Sequence, residues 1–344
     1  MAPKYRRLMR LHGMISGYYL TQAIYAAAKL NIADELVKGP RDARSLAAAV
    51  GADAGSLYRL LRALASMGIF ALGRDERFRM TSLGHALRSD AALSLRPWAI
   101  YNGEPFHWRS WGKLLPAVRT GSSGVELCFD TTFFDLLEAD AAASAAFDAA
   151  MSSLADALNP VLSRSYDFGQ IRTLADIGGG NGNFLAAILR RYPRLHGVVF
   201  DAPHVARNAR SFIERQRLAN RCMVLGGDFF TAVPAGFDGY LLKQVLHDWT
   251  DARALVILKH IRAAVASPGI LLLVEMVVPP GNAPAMAKLV DLEMLACTGG
   301  RERTAAEFGQ LLGAAGFALK QIRPTTSPLC ILEAVPDSDA ASGR

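Results

Sequence analysis

Apolar positions recur at helical spacing through most of the first 170 residues and then change period. In residues 55–67, Leu57, Leu60, Leu61 and Leu64 fall on one face of a helix that Gly68 closes. A shorter helix over 45–50 precedes it, with Gly51 supplying the turn. Residues 69–72 then read as a strand, Arg74, Asp75 and Glu76 as a turn, and residues 77–80 as a returning strand. That order is the one of a winged helix-turn-helix. The Ala-rich stretch 139–150 has Phe134, Leu137, Phe147 and Met151 at helical spacings, which predicts a helix and not a linker.

Beyond residue 170, short apolar runs alternate with helical stretches, the signature of a parallel sheet with crossover helices. Strands are expected at 173–177, 197–200, 222–225, 239–243 and 270–276, with 317–322 and 330–335 pairing as a closing hairpin. The chain therefore divides into a mainly helical region over 1–100, a helical connector over 101–168 and an α/β region over 169–336. A small, polar tail over 337–344 is expected to be disordered.

The length of 344 residues suits two domains, and 51% hydrophobic with 20% charged residues excludes a mainly disordered or charged fibrous chain. No apolar run approaches the roughly 18–20 residues of a membrane helix, and the longest, 270–280, carries Glu275 in its middle. Arg6, Arg7 and Arg10 could begin a secretion signal, but His12, Tyr18, Tyr19 and Gln22 break up its apolar segment. A cytoplasmic protein with no membrane partner is expected. The four cysteines, Cys128, Cys222, Cys297 and Cys330, lie far apart with no C-x-x-C pair, so reduced core cysteines are expected and no zinc site or disulfide framework.

The net charge of +7 is concentrated: the first hundred residues hold fifteen basic and seven acidic side chains, and the remainder is close to neutral. A nucleic-acid partner would therefore have to rest on the amino-terminal region. There the second helix is expected to turn Tyr58, Arg59 and Arg62 outward and to use its other faces for apolar packing, which argues against such a partner.

After the first α/β strand, Asp176-Ile177-Gly178-Gly179-Gly180-Asn181-Gly182 opens a helix over 184–191. Successive glycines let a backbone turn sharply and approach a ligand closely. The dinucleotide pattern G-x-G-x-x-G fails, because Asn183 stands where its third glycine belongs. What fits is acid-x-G-x-G-x-G, with a second acid, Asp201, 25 positions after the first, where it could take both ribose hydroxyls. Asp228 ends the third strand, within reach of an adenine amino group, while Phe229 would pack on the ring. The loop contains no lysine or arginine, which argues against a phosphate-rich ligand. S-adenosylmethionine, with ribose, adenine, an amino acid and a sulfonium, is the cofactor this set predicts.

The fourth strand runs into Leu246-His247-Asp248-Trp249, placing His247 just past a strand's carboxyl end, where α/β sheets bind ligands. Glu275 interrupts the apolar run 271–278, an arrangement that is costly unless the acid has a partner. Glu302 stands just before a helix that Thr304 caps, with Glu307 three residues on. Asp291 and Glu293, on a helix between these two glutamates, read as solvated charges. A phenol titrates near pH ~10 and is a poor nucleophile while neutral. A histidine that accepts its proton is typically worth about 10²–10⁴ in rate, and a carboxylate on the other ring nitrogen fixes the tautomer.

These residues resemble the S-adenosylmethionine-dependent O-methyltransferases of plant phenolic metabolism and bacterial antibiotic pathways. Residues 176–182, 201–205, 226–228, 247–249 and 299–304 match its signatures in order, and Tyr101–Trp108 is similar to phenazine-modifying members. The resemblance implies a seven-stranded, Rossmann-like class I methyltransferase domain with an amino-terminal helical winged-helix dimerisation domain, in an intertwined homodimer. It implies that Asp176, Gly178, Gly180, Asp201, Asp228, Phe229 and Lys243 bind the cofactor and that His247 is the base, flanked by Glu275 and Glu302. It also implies that Phe147, Met151, Met294 and Asp248 meet the acceptor, with residues 101–168 lining its pocket. O-methylation of a phenolic hydroxyl on a planar aromatic secondary metabolite, without a metal, leaving S-adenosylhomocysteine, is the resulting expectation. The alternatives are N-methylation or cofactor-assisted chemistry without methyl transfer on the same fold, and a DNA-binding regulator that responds to the cofactor.

Overall fold

A computed structural model describes residues 3–337, so the tail expected over 337–344 lies outside the described residues apart from Asp337. Contacts divide the chain into two compact units. One is built from the chain up to Arg109 together with Asp135–Leu154, the other from Ser110–Phe134 together with Ala155 onward. The stretch 101–168, expected as one connector, is shared between them. The reason is the helix Ala141–Leu162, whose Ala and Leu positions keep helical spacing well past residue 150, so that it crosses the boundary.

In the first unit, helices Ala43–Val50 and Ala54–Ser66 begin at Asp42 and Asp53, whose carboxylates accept the backbone N–H of Ser45 and Ser56, both at 2.8 Å. Such caps are typically worth about 1 kcal/mol each. Strands β1 (Phe70–Leu72) and β2 (Phe78–Met80) follow as an antiparallel pair, with Leu72 opposite Phe78. Leu46, Leu57, Leu61, Leu64, Phe70 and Phe78 are buried between these elements. The expected outward face of the second helix needs one correction. Tyr58 is half-buried, its ring 5.9 Å from that of Phe78, which leaves Arg59 and Arg62 as the exposed basic groups.

The second unit holds a seven-stranded sheet. Its strands are β3 (Thr173–Ile177), β4 (His196–Asp201), β5 (Cys222–Gly226), β6 (Gly239–Lys243) and β7 (Ile270–Glu275). Two-residue strands β8 (Val277–Val278) and β9 (Arg303–Thr304) lie apart from it, and β10 (Phe317–Pro324) with β11 (Cys330–Pro336) completes it. The order is β10-β11-β7-β6-β3-β4-β5, with β3 to β7 parallel and β11 antiparallel to both its neighbours. This is the class I methyltransferase fold.

The alternation of side chains along each strand explains why the apolar runs are continuous. Ala175, Ile177, Tyr240, Leu242, Leu271 and Leu273 face helices Asp251–Ala264 and Ala305–Ala314. Leu174, Val199, Leu241, Leu272 and Val274 face the helix Asn183–Arg191 on the other side. With both faces covered, the five parallel strands keep one charged residue short of their ends, Asp176 in β3, and each fully buried Leu, Ile or Val contributes about 1.5–3 kcal/mol. Polar residues are therefore pushed to the strand ends.

The chain leaves β3 for β4 and β5 on one side and later for β6 and β7 on the other. That reversal opens a crevice at the carboxyl ends of β3 and β6. The small parallel pair β8–β9 joins Val277 to Arg303 and Val278 to Thr304, and so carries residue 302 to the exit of β7. Nothing in the hydrophobic pattern anticipates this pairing. Among the described residues, no helix is long and apolar enough to cross a membrane.

Candidate active site

Five parallel strands deliver their last residues to one edge of the sheet. Asp176 lies in β3, Asp201 ends β4, Gly226 ends β5 two residues before Asp228, Lys243 ends β6 and Glu275 ends β7. The glycine loop after β3 is held by its neighbours. Gly178 N–H donates to the Phe200 carbonyl at 2.8 Å, and Gly180 N–H to Asp201 Oδ2 at 2.8 Å. Gly178 has φ +68°, and a Cβ there would stand 2.7 Å from Val245 Cγ2, so no other residue fits without strain. The Phe229 ring borders the same position, at 3.7 Å.

S-adenosylmethionine can be tested against this edge. A Cβ on Gly180 would meet nothing within 4 Å, so the loop faces open space. Asp176 is buried, and its Oδ2 has no hydrogen-bond partner. Burial pushes its carboxyl up to about 7, against the pull of the Lys243 ammonium and with the help of Asp201's charge. Burial also lowers Lys243, opposed by Asp176 and Glu275. An edge lined by carboxylates, one of them buried and unsatisfied, suits a ligand that brings cationic groups and hydroxyls and no phosphate. The cofactor's chemistry fits. Asp201 and Asp228 are both engaged already: Asp201 Oδ1 accepts Ala202 N–H at 2.7 Å beside the Gly180 bond, and Asp228 Oδ1 accepts Phe230 N–H at 2.8 Å and its Oδ2 the Thr231 hydroxyl at 3.1 Å. A hydrogen bond to an adenine amino group would have to use the remaining lone pairs.

His247 sits in a tight turn, Leu246–Asp248, immediately after β6, and is only 8% exposed. Its Nδ1 lies 2.8 Å from Glu302 Oε1, across 55 residues of sequence. Glu275 also flanks the ring, but its hydrogen bonds go to the backbone. Its Oε1 accepts the backbone N–H groups of Val245 and Leu246 at 3.1 and 2.9 Å, and its Oε2 reaches only to 4.0 Å from Nδ1. On the other side of the ring, Asp248 Oδ1 is 3.7 Å from Nε2. Burial alone would lower the imidazole, but the charges of Asp248, Glu275 and Glu302 outweigh it and push His247 up to about 10. Burial raises Glu275 and Asp248, the latter to about 6.

The arrangement can bind a proton at Nε2 and stabilise the resulting imidazolium through Nδ1. His247, Glu275 and Glu302 also offer one ligand atom each within 4.8 Å of one another, a spacing that a metal ion could use. Met294 is buried on the helix Met286–Ala296, and its carbonyl accepts the N–H groups of Thr298 and Gly299 at 3.0 and 2.8 Å. Phe147 and Met151 belong to the first unit, where the Phe147 ring lies 5.9 Å from that of Tyr101.

Two residues that sequence reasoning passed over support the pair. Asp291, read as a solvated charge, is half-buried, and its Oδ1 accepts the backbone N–H of Glu302 at 2.9 Å. Arg303 is fully buried beneath the His247 turn. Glu293, the other charge read as solvated, accepts the Trp111 indole N–H at 2.5 Å. The capping pattern around Thr304 located the segment, but no local signal discloses contacts between segments 50 residues apart.

The sequence model of the O-methyltransferase domain matches residues 111–318, and that of the O-methyltransferase dimerisation domain matches residues 13–90. The chain is 42% identical to phenazine O-methyltransferase PhzM of Lysobacter antibioticus, over 94% of each chain. The crystal structure of LaPhzM superposes with a TM-score of 0.92 at 41% identity, covering 97% of this chain and all of that one. The O-methyltransferase NcsB1 from neocarzinostatin biosynthesis, solved with S-adenosylmethionine and 2-hydroxy-5-methyl naphthoic acid, superposes at 0.80 with 34% identity, covering 92% of this chain and 96% of that one. Other relatives of 32–37% identity are named for transfer to nitrogen.

Proposed function

The chain belongs to the O-methyltransferase family and is an S-adenosylmethionine-dependent methyltransferase, and on that premise we propose that it methylates a phenolic hydroxyl of a planar aromatic secondary metabolite, phenazine-like or polyketide-like, with His247 as general base. The observation that carries this reading is the 2.8 Å contact between His247 Nδ1 and Glu302 Oε1 at the ligand-binding edge of the sheet. The carboxylate accepts a hydrogen bond from Nδ1–H, which leaves Nε2 as the lone-pair nitrogen. Nε2 accepts the acceptor's hydroxyl proton as its oxygen becomes nucleophilic, and the resulting imidazolium is held by Glu302. The pair's high proton affinity matches that of a phenolate, whose conjugate acid titrates near pH ~10.

When bound, S-adenosylmethionine supplies an electrophilic methyl group on sulfur. Asp176, Gly178, Gly180, Asp201, Asp228, Phe229 and Lys243 would hold it. Asp248, Phe147, Met151 and Met294 would meet the acceptor. The amino-terminal unit would pair two copies, a reading supported by the dimerisation-domain match and by exposed Leu8, Leu11, Met14, Ile15 and Tyr19 along its first two helices.

The test is mass spectrometry of products from purified protein, S-adenosylmethionine and a panel of phenazines, anthraquinones and catechols, with excess chelator in one arm. One methyl gained on oxygen, unaffected by chelator and reduced about 10²–10⁴-fold in His247→Ala with cofactor binding intact, is expected. Transfer to nitrogen, which the nitrogen-directed relatives keep open as a second reading, would appear as the same mass on a different atom.

A further inference from the structure

The segment that carries Glu302 is stitched to the turn that carries His247 by more than the bond between their side chains. Arg301 N–H donates to the His247 carbonyl at 2.8 Å. Gly300 passes so close that a Cβ on it would lie 2.0 Å from that same carbonyl oxygen. Arg303, 0% exposed, completes the attachment. Its Nη1 donates to the carbonyls of Leu246 at 2.8 Å and Arg301 at 3.3 Å, its Nη2 to the carbonyl of Trp249 at 2.9 Å, and its Nε to Asp251 Oδ1 at 2.9 Å. Leu246 and Trp249 bracket His247 and Asp248 in the chain. One planar guanidinium therefore grips the turn on both sides of the base, from the residue next to the base's carboxylate partner.

We propose that Arg303 is a positioning residue for methyl transfer, locking the His247 turn and the Glu302 segment into one piece so that the imidazole meets its carboxylate. The inference rests on the reading of His247 as the base. A guanidinium is needed because its donors diverge in a fixed plane toward three carbonyls and a carboxylate, whereas a lysine ammonium is a point donor on a flexible stem. A displacement of about 1 Å at such a pair costs on the order of 10² in rate. A buried arginine that only stabilised the fold would lower the melting temperature without acting through Glu302.

The experiment compares wild type, R303K, E302Q, the double variant and H247A as full-length proteins, using an acceptor that the wild type methylates. R303K is expected to bind S-adenosylmethionine within about twofold of wild type by calorimetry and to keep the acceptor KM, while kcat falls about 10–100-fold. In the E302Q background the same substitution is expected to lower kcat by less than about threefold, because residues acting through one contact are not additive. Wild-type kcat in R303K, or an equal loss in both backgrounds, would overturn the proposal. Should R303K lose cofactor binding, D251N removes one anchor of the guanidinium from a side chain that is 55% exposed. It is expected to lower kcat about 3–10-fold with the same dependence on Glu302, and wild-type kcat in D251N would overturn the proposal. Activity retained in H247A removes the base reading and this inference together. Activity lost in H247A and intact in R303K removes this inference alone.

Discussion

The second oxygen of Glu275 stops 4.0 Å short of His247 Nδ1, while the first is bonded to the backbone of the turn that holds the histidine. Glu275 thus shapes the turn and adds a negative charge nearby, whereas Glu302 makes the direct bond. The two glutamates should respond differently to amide substitution. Glu302→Gln removes the charge that holds the imidazolium, and kcat is expected to fall about 10²-fold or more. Glu275→Gln keeps a carbonyl oxygen for the two N–H groups and should cost less than about tenfold. Glu275→Ala leaves two buried donors unsatisfied, each costing about 1–3 kcal/mol, and should lower Tm where Glu275→Gln does not. Steady-state kinetics and calorimetry on the three variants read these outcomes.

The pH dependence follows from His247. Three neighbouring carboxylates push its imidazole up to about 10, so the base form of the free site accumulates only in alkaline solution. Values of kcat/KM are expected to climb between pH 7 and 9, with no plateau near 6.5, the midpoint of an unperturbed imidazole. Because the folded value is raised, the contribution of this group to stability is full below about 6.5 and is lost as pH rises through about 10. The Tm of the cofactor-free protein should decline across that window, and Glu302→Gln should shrink both effects.

Acceptor choice should reflect the second acid at the ring. Nε2 and Asp248 Oδ1 stand 3.7 Å apart, two acceptors facing whatever donates a proton to the histidine. A catechol or an ortho-aminophenol can satisfy both, while an isolated phenol leaves the half-buried Asp248 carboxylate without a donor from the acceptor. A preference of about tenfold or more in kcat/KM for vicinal donors is expected, since a hydrogen bond to a charged group is worth about 1.5–3 kcal/mol. Burial pushes Asp248 up to about 6, so the preference should strengthen above that pH. It should disappear in Asp248→Ala.

Asp176 sets stability against binding. Its carboxyl is raised to about 7 by burial, so in the absence of ligand its ionisation weakens the fold progressively from about pH 4 to 7, and fully above. Asp176→Asn is expected to raise the Tm of the cofactor-free protein at pH 8 by a few degrees, at about 2–4 °C per kcal/mol for a domain of this size. The same variant should bind S-adenosylmethionine more weakly. Melting curves with and without cofactor test both halves at once.

Much of this was legible from the chain. The strands of the parallel sheet announce themselves because both faces are covered, which makes 173–177, 239–243 and 270–275 nearly unbroken apolar runs whose charged interruptions stand at the carboxyl end or one residue before it. The glycine spacing of 176–182 and the acid inside 271–278 stood out for the same reason: each is costly unless it serves a ligand or a partner. What could not be read was which glutamate touches which atom. Glu275 and Glu302 both end near His247, and only the two-residue pairing of Val277–Val278 with Arg303–Thr304 decides that Glu302 takes the bond. Asp291 was misread and Arg303 missed because the groups they bond, the Glu302 N–H and the carbonyls of Leu246 and Trp249, are backbone atoms that leave no mark in the local pattern. Tyr58 was misjudged because its face of the helix is covered by Phe78 from a hairpin, which helical periodicity alone does not include.

Gly300 bears on how this enzyme could be adapted to new acceptors. The loop it belongs to runs beside the site, so it invites diversification. Position 300 does not. Any side chain there would collide with the main chain of residues 247–249, at 2.0 Å from His247 O, 2.4 Å from Asp248 C and 2.7 Å from Trp249 N, none of which is a side chain able to swing away. A library randomised over 297–301 and selected for turnover should return glycine at 300, a preference for glycine at 299, whose φ is +75°, and variety at 298 and 301. The loop's capacity to diverge is thus bounded at its paired glycines, where the main chain itself, and no side chain, forms the wall behind the histidine.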